Sequence, residues 1–208
     1  MKTLVSMPLT KSPAGTWTIA TAKTADEKPY FGTVQIHPMG QIYTVSWLTT
    51  LGDYTGLAFY EDGYIFAGCA FHNSYGVTLY TINDDGTLDG KWTSPSYKGA
   101  IGTEKLVGGI PGQLEGTYHA TSSSPPPNSA NYEGTLNIQQ LNDIYQVSWS
   151  VGIDYQGTGL RVGNKLVVAW GEGNVFCMNY QIENNAALGR WAYLGNSALA
   201  MENLHKIC

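Results

Sequence analysis

The chain has 208 residues and a net charge of −5, with only 13% charged residues but 25 Gly, 14 Tyr and 6 Trp. This composition excludes disorder and fits many short strands joined by tight turns. Neither half carries a basic patch, so nucleic acid is not an expected partner, and no apolar run is long enough to cross a membrane as a helix.

Residues before about Pro13 read as a short arm, whose apolar run is too brief for a secretory signal. Strand character begins at Gly15-Thr16-Trp17-Thr18-Ile19-Ala20. A polar connection from Lys23 to Pro29 leads to Tyr30-Phe31-Gly32-Thr33-Val34-Gln35-Ile36-His37. After the Met39-Gly40 turn comes Ile42-Tyr43-Thr44-Val45-Ser46-Trp47, in which Tyr43, Val45 and Trp47 share one face and Thr44 and Ser46 the other. Such alternation, rich in β-branched and aromatic residues, is the signature of a half-buried strand. Further strands are predicted at Leu51–Phe59, Tyr64–Ala70 and Val77–Ile82. The turn Asn83-Asp84-Asp85-Gly86 is a strong hairpin signal. Leu88–Thr93 and Gly102–Leu106 complete about eight strands.

The pattern then starts again. Ile144-Tyr145-Gln146-Val147-Ser148-Trp149 repeats the Tyr43–Trp47 strand, and Gly116-Thr117-Tyr118 matches Gly15-Thr16-Trp17. Asp154-Tyr155 matches Asp53-Tyr54, Tyr180-Gln181-Ile182 matches Tyr80-Thr81-Ile82, Gly189-Arg190-Trp191 matches Gly90-Lys91-Trp92, and Glu202-Asn203-Leu204 matches Glu104-Lys105-Leu106. The chain is an internal duplication: copy one over residues 13–107, copy two over 113–206, and a Gly-rich linker between them. Ser122 to Pro127 is a loop inside copy two, because the repeat continues across it. The predicted fold is all-β, with two tandem antiparallel up-and-down barrels of about eight strands, one per copy, closure removing the sheet edges. An open sandwich per copy is the alternative.

Gly15-Thr16-Trp17 followed by Tyr43-Thr44-Val45-Ser46-Trp47 resembles the avidin and lipocalin group of ligand-binding barrels. The Tyr-x-Val-x-Trp strand and the terminal Gly102-Thr103-Glu104-Lys105-Leu106 are also similar to small bacterial β-modules. The resemblance implies a closed barrel around a small ligand. Biotin binding is not implied, since the polar ligands of that site have no place on this sequence.

The candidate ligand-binding residues are the aromatics of the repeated strands: Trp17, Tyr43 and Trp47 in copy one, Tyr118, Tyr145 and Trp149 in copy two. They either line a pocket for a small apolar or aromatic molecule or fill a small barrel. Glu104 and Glu202 are the candidate catalytic residues. Each shares its strand face with a leucine, Leu106 or Leu204, and so points inward, where burial makes a carboxyl a general acid or base. The competing reading is a structural bond across the barrel, with Lys91 and Arg190 as possible ion partners. Asp53 and Asp154 read as turn-capping residues or as rim carboxylates.

Cys69 and His72 suggest a nucleophile–base pair only if the chain bends between them. The three cysteines do not recur at equivalent places: Cys69 aligns with Trp170, Cys177 with Val77, and Cys208 is last. Free thiols and a cytoplasmic location are the expectation. The histidines His37, His72, His119 and His205 show no ligand spacing, and no nucleotide fingerprint is present, so no metal or cofactor is expected. Three functions remain: a small-molecule-binding double barrel, a cofactor-free cyclase or isomerase acting on a reactive intermediate, and an interaction module with filled barrels. The sequence leaves oligomeric state open.

Overall fold

A computed structural model describes residues 12–71, 74–127 and 129–207. The N-terminal arm, His72 and Cys208 lie outside them. The strands in chain order are β1 (Gly15–Lys23), β2 (Gly32–Met39), β3 (Ile42–Thr49), β4 (Gly52–Glu61), β5 (Tyr64–Ala70), β6 (Tyr75–Ile82), β7 (Leu88–Thr93) and β8 (Gly102–Val107) from copy one. Copy two supplies β9 (Gly116–Ser123), β10 (Asn131–Leu141), β11 (Ile144–Ser150), β12 (Asp154–Val162), β13 (Lys165–Gly171), β14 (Val175–Glu183), β15 (Ala186–Tyr193) and β16 (Ala200–Lys206). A 3₁₀ turn, Pro95–Tyr97, follows β7.

These strands form two closed antiparallel barrels of eight, as the alternation predicts, but the barrels do not coincide with the copies. Barrel one closes in the order β1-β16-β15-β14-β5-β4-β3-β2, and barrel two in the order β10-β11-β12-β13-β6-β7-β8-β9. Copy one therefore contributes β1–β5 to the first barrel and β6–β8 to the second, and copy two does the reverse. The assignment of one barrel to residues 13–107 and the other to 113–206 is corrected accordingly. The chain crosses between barrels after Ala70 and returns after Gly171. The two crossings run side by side, the Glu172 amide donating to the Ser74 carbonyl at 3.1 Å. β5 pairs with β14, setting Cys69 opposite Phe176, while β6 pairs with β13, setting Gly76 opposite Trp170.

Either pairing satisfies the inward alternation of each barrel, so interior pattern alone does not choose between them. The crossing strands carry a second apolar face, and this is where the exchanged arrangement does its burying. Leu57, Phe59, Phe66, Val77, Leu79, Leu160, Val167, Ala169 and Cys177 form a core between the barrels, separate from the two interiors. A strand covered on both faces reads as a continuous hydrophobic run, and each large side chain so covered contributes about 1.5–3 kcal/mol. Glu61, at the end of β4, ties the barrels at the rim by ion pairs to Lys91 and Lys165 of barrel two.

Inside barrel one, Trp17, Ile19, Val34, Ile36, Val45, Ile65 and Leu204 pack together. Leu88, Leu106, Leu136, Ile138, Val147, Leu166 and Val168 do so in barrel two. These apolar side chains fill the middle of each barrel, and the spaces beside Glu104 and Glu202 lie toward one end.

Candidate functional site

Each barrel carries the same polar row at that end. In barrel two, Tyr80, Gly90 and Glu104 lie opposite one another on β6, β7 and β8. In barrel one the row is Tyr180, Gly189 and Glu202 on β14, β15 and β16. Glycine at the centre is a steric requirement: a Cβ at Gly90 would lie 2.7 Å from the Tyr80 ring, and one at Gly189 would lie 2.4 Å from the Tyr180 ring. Each tyrosine thus lies flat across the glycine and delivers its hydroxyl to the carboxylate two strands away. The candidate glutamates do point inward, at 7% and 3% exposure for Glu104 and Glu202.

In barrel one the carboxylate is fully engaged. Glu202 accepts from the Tyr180 hydroxyl at 2.5 Å, the Tyr30 hydroxyl at 2.7 Å and the Trp47 indole at 3.2 Å. In barrel two Glu104 accepts from the Tyr80 hydroxyl and, at 3.4 Å, from the Trp149 indole. The counterpart of Tyr30, Tyr132, makes no bond to Glu104. Ser122 stands where barrel one has Ala22 and intercepts the chemistry: it accepts the Trp92 indole at 3.1 Å, whereas the matching Trp191 indole donates to Tyr30 at 2.9 Å. Among the described residues, Glu104 therefore has two donors and Glu202 three. Burial pushes both carboxyls above the ordinary glutamate value, against the opposing effect of these bonds. Burial and the adjacent carboxylate also push the Tyr80 and Tyr180 hydroxyls well up, so both stay protonated as donors.

The space above the carboxyl differs more sharply. Barrel two holds a cavity of about 500 Å³. Its floor includes Glu104 and Trp149, its walls Trp92, Tyr132, Tyr155 and Trp170, and its mouth is edged by Ser74, Ser94, Ser96, Ser124 and Ile153 from the loops of one end. The equivalent space in barrel one, beside Trp47, Tyr180 and Glu202, is about 70 Å³. One cross-strand exchange accompanies the difference. In barrel one the pair is Cys69 and Phe176, and Phe176 extends over the opening, ringed by Tyr54 at 5.8 Å, Phe71 at 5.6 Å, Trp191 at 5.9 Å and Tyr193 at 6.0 Å. In barrel two the bulk sits on the other strand. Trp170 lies over Gly76, where a Cβ would come within 2.1 Å of its ring, and its indole donates to Thr78 at 2.9 Å. Thr78 itself stands where barrel one has Met178, removing a second plug.

The sequence-predicted residues divide cleanly. Trp47 and Trp149 meet Glu202 and Glu104 at the cavities. Trp17 and Tyr118 belong to the apolar cores of the two barrels, donating to the carbonyls of Pro13 and Leu114. Tyr43 packs against Tyr60, with ring centroids 6.2 Å apart, and Tyr145 joins the barrel-two core; neither is among the residues lining the spaces beside Glu104 and Glu202. Lys91 does not close a barrel with Glu104, because it lies on the outer face and pairs with Glu61 instead. Arg190 donates to the Arg161 carbonyl. Asp53 and Asp154 are exposed at the starts of β4 and β12. Cys69 and Cys177 are free and buried; the partner proposed for Cys69, His72, lies outside the described residues. Tyr80, Tyr180, Trp92, Trp170 and Tyr132 were not singled out from sequence, although the recurrence of the first three with their counterparts, and the mismatch of Trp170 with Cys69, were visible signals.

Among the described residues no group of His, Cys, Asp and Glu is placed to hold a metal ion, and no helix is long and apolar enough to cross a membrane. Compared with known proteins, the chain matches no protein family, no curated protein and no solved structure.

Proposed function

We propose that the protein binds a small, largely apolar or aromatic molecule in the cavity of barrel two, with barrel one acting as its filled structural counterpart. The observation that carries this reading is the unequal treatment of a duplicated site: the same carboxyl row is covered by Phe176 and Met178 in one barrel and left open beside Thr78 and Trp170 in the other. The volume falls in the range of small-molecule pockets, roughly 300–1,000 Å³, which combine apolar walls with a few convergent polar groups. The resemblance to avidin-like and lipocalin-like barrels supports the same use. Titration with fluorescent apolar probes tests it. Trp149→Leu is expected to weaken binding by roughly tenfold, the loss of one aromatic wall, while Trp47→Leu leaves it unchanged. Equal effects of the two substitutions, or no saturable binding, would refute it.

A second reading has one specific observation behind it. Glu104 is a buried carboxyl with a raised proton affinity, facing open space and incompletely bonded. In a dry, shaped cavity such a group transfers protons to or from a held, reactive molecule without a cofactor. This is the chemistry of a cyclase or isomerase. Glu104→Gln then abolishes turnover of a candidate substrate while largely preserving its affinity; loss of affinity alone returns the carboxyl to a binding role.

A further inference from the structure

The walls of the barrel-two cavity are tilted against one another. Trp92 meets Trp170 at 67° with centroids 6.1 Å apart, Tyr97 at 79° and 5.3 Å, and Tyr132 at 56° and 6.4 Å. Tyr155 meets Trp170 at 61° and 5.3 Å. Neighbouring rings of the lining are inclined to one another, so no two rings in contact present one continuous flat wall. Together with Trp149 they give the cavity a lining rich in aromatic rings. The face of an aromatic ring is the negative pole of its quadrupole, so several faces around one volume attract a compact cation, and desolvation strengthens the attraction.

The ionisable groups agree in sign. Glu104 lies at the floor with an incompletely bonded carboxyl, and among the described lining residues there is no Lys, Arg or His. The polar groups facing Glu104 are the Tyr80 and Tyr132 hydroxyls, the Ser122 hydroxyl and the Trp149 indole, none of which supplies a positive charge. An anionic ligand would meet the Glu104 carboxyl with nothing to neutralise it; a neutral one leaves that carboxyl with the Tyr80 and Trp149 bonds and no counter-charge.

Resting on the reading of this cavity as the binding site, we propose that its ligand is an organic cation, a quaternary or protonated amine with apolar substituents, whose charged head sits among the rings of Trp92, Trp149 and Trp170 with Glu104 as counter-ion. Burial holds the proton on Glu104 above the ordinary range, and a cation beside it favours the carboxylate instead. Binding therefore releases that proton and tightens as pH rises through the titration of Glu104.

The test is calorimetric, on the full chain, with phenyltrimethylammonium and its neutral isostere tert-butylbenzene, each at about pH 5 and pH 8. The cation is expected to bind roughly ten- to thirty-fold more tightly at the higher pH, as desolvated cation–π contacts imply. That preference shrinks at the lower pH and in Glu104→Gln, while the isostere shows neither change. Equal affinity for the two probes overturns the cationic ligand and leaves the pocket intact. Binding of neither overturns both. The pH arm uses the unaltered protein, so the outcome stands even if Glu104→Gln fails to fold.

Discussion

Truncating Phe176 to alanine separates a plug from an ordinary packing residue. The ring sits at the mouth of barrel one among four others, at centroid distances of 5.6–6.0 Å. Truncation of a fully buried phenylalanine costs about 3–5 kcal/mol, and tilted ring pairs add about 0.5–1.5 kcal/mol each beyond area burial. Phe176 is only half-buried, so the loss should be about 2–3 kcal/mol, visible as a urea midpoint lowered by about 1 M. Removal also joins the space of about 70 Å³ beside Trp47, Tyr180 and Glu202 to the surface depression above it. The variant should therefore take up a second equivalent of any probe that the unaltered protein binds once. A destabilised variant that still binds one equivalent would show that Phe176 packs without sealing, and the contrast between the barrels would need another cause.

Three further outcomes follow from the charges and thiols. Glu202 holds its proton to higher pH in the folded chain than its ordinary value of 4.5, so the unfolded state is the more ionised above that pH. Stability is fully present below 4.5 and declines as pH rises through the folded titration; in Glu202→Gln, urea unfolding at several pH values should show this decline reduced, and an unchanged slope would contradict it. Glu61 acts in the opposite sense. Burial raises its proton affinity, but the bonds to Lys165 and Lys91 outweigh this and lower it, so its contribution is present above 4.5 and lost as pH falls through the folded value. With Lys91 36% and Lys165 12% exposed, Glu61→Gln should destabilise by about 1–2 kcal/mol at neutral pH and by less in acid; a constant difference would remove the ion pairs from the account of the interface. Burial pushes the Cys177 thiol up to about 12 and that of Cys69 higher still. Peptide mapping after thiol labelling should find both unmodified in the folded protein and both modified in denaturant; labelling of either in the folded state would contradict its placement.

The duplication, the barrel class and the inward carboxyls were legible because each is a local signal. Alternation placed Trp47 and Trp149 inside, and the faces shared with Leu106 and Leu204 placed Glu104 and Glu202 inside. The exchange of strands was not legible in the same way. The two copies present the same pattern to either partner, so β5 finds as good an inward match in β14 as in β6. The usable clue was different. Tyr64–Ala70, Tyr75–Tyr80 and Leu166–Ala169 are apolar on both faces, unlike β2 or β10, and such strands need cover on both sides. Tyr80 and Tyr180 went unread because their role depends on a glycine on the neighbouring strand, a relation that appears only when the register is known. The open cavity follows from the same relation, since Gly76 and Trp170 mean little apart and make a pair only across β6 and β13.

Exchange between the halves is what places Trp47 over Glu202 and Trp149 over Glu104, and one cross-link reports it. Residues directly opposite on antiparallel strands lie within the reach of a disulfide, and Phe176 is opposite Cys69. In a background with Cys177 and Cys208 replaced by alanine, Phe176→Cys should oxidise to an intramolecular bond joining residues 69 and 176, identified by peptide mass. If that bond does not form, and Gly76→Cys instead couples to Cys69 as a β5–β6 hairpin would require, each copy closes its own barrel and the exchanged architecture is wrong.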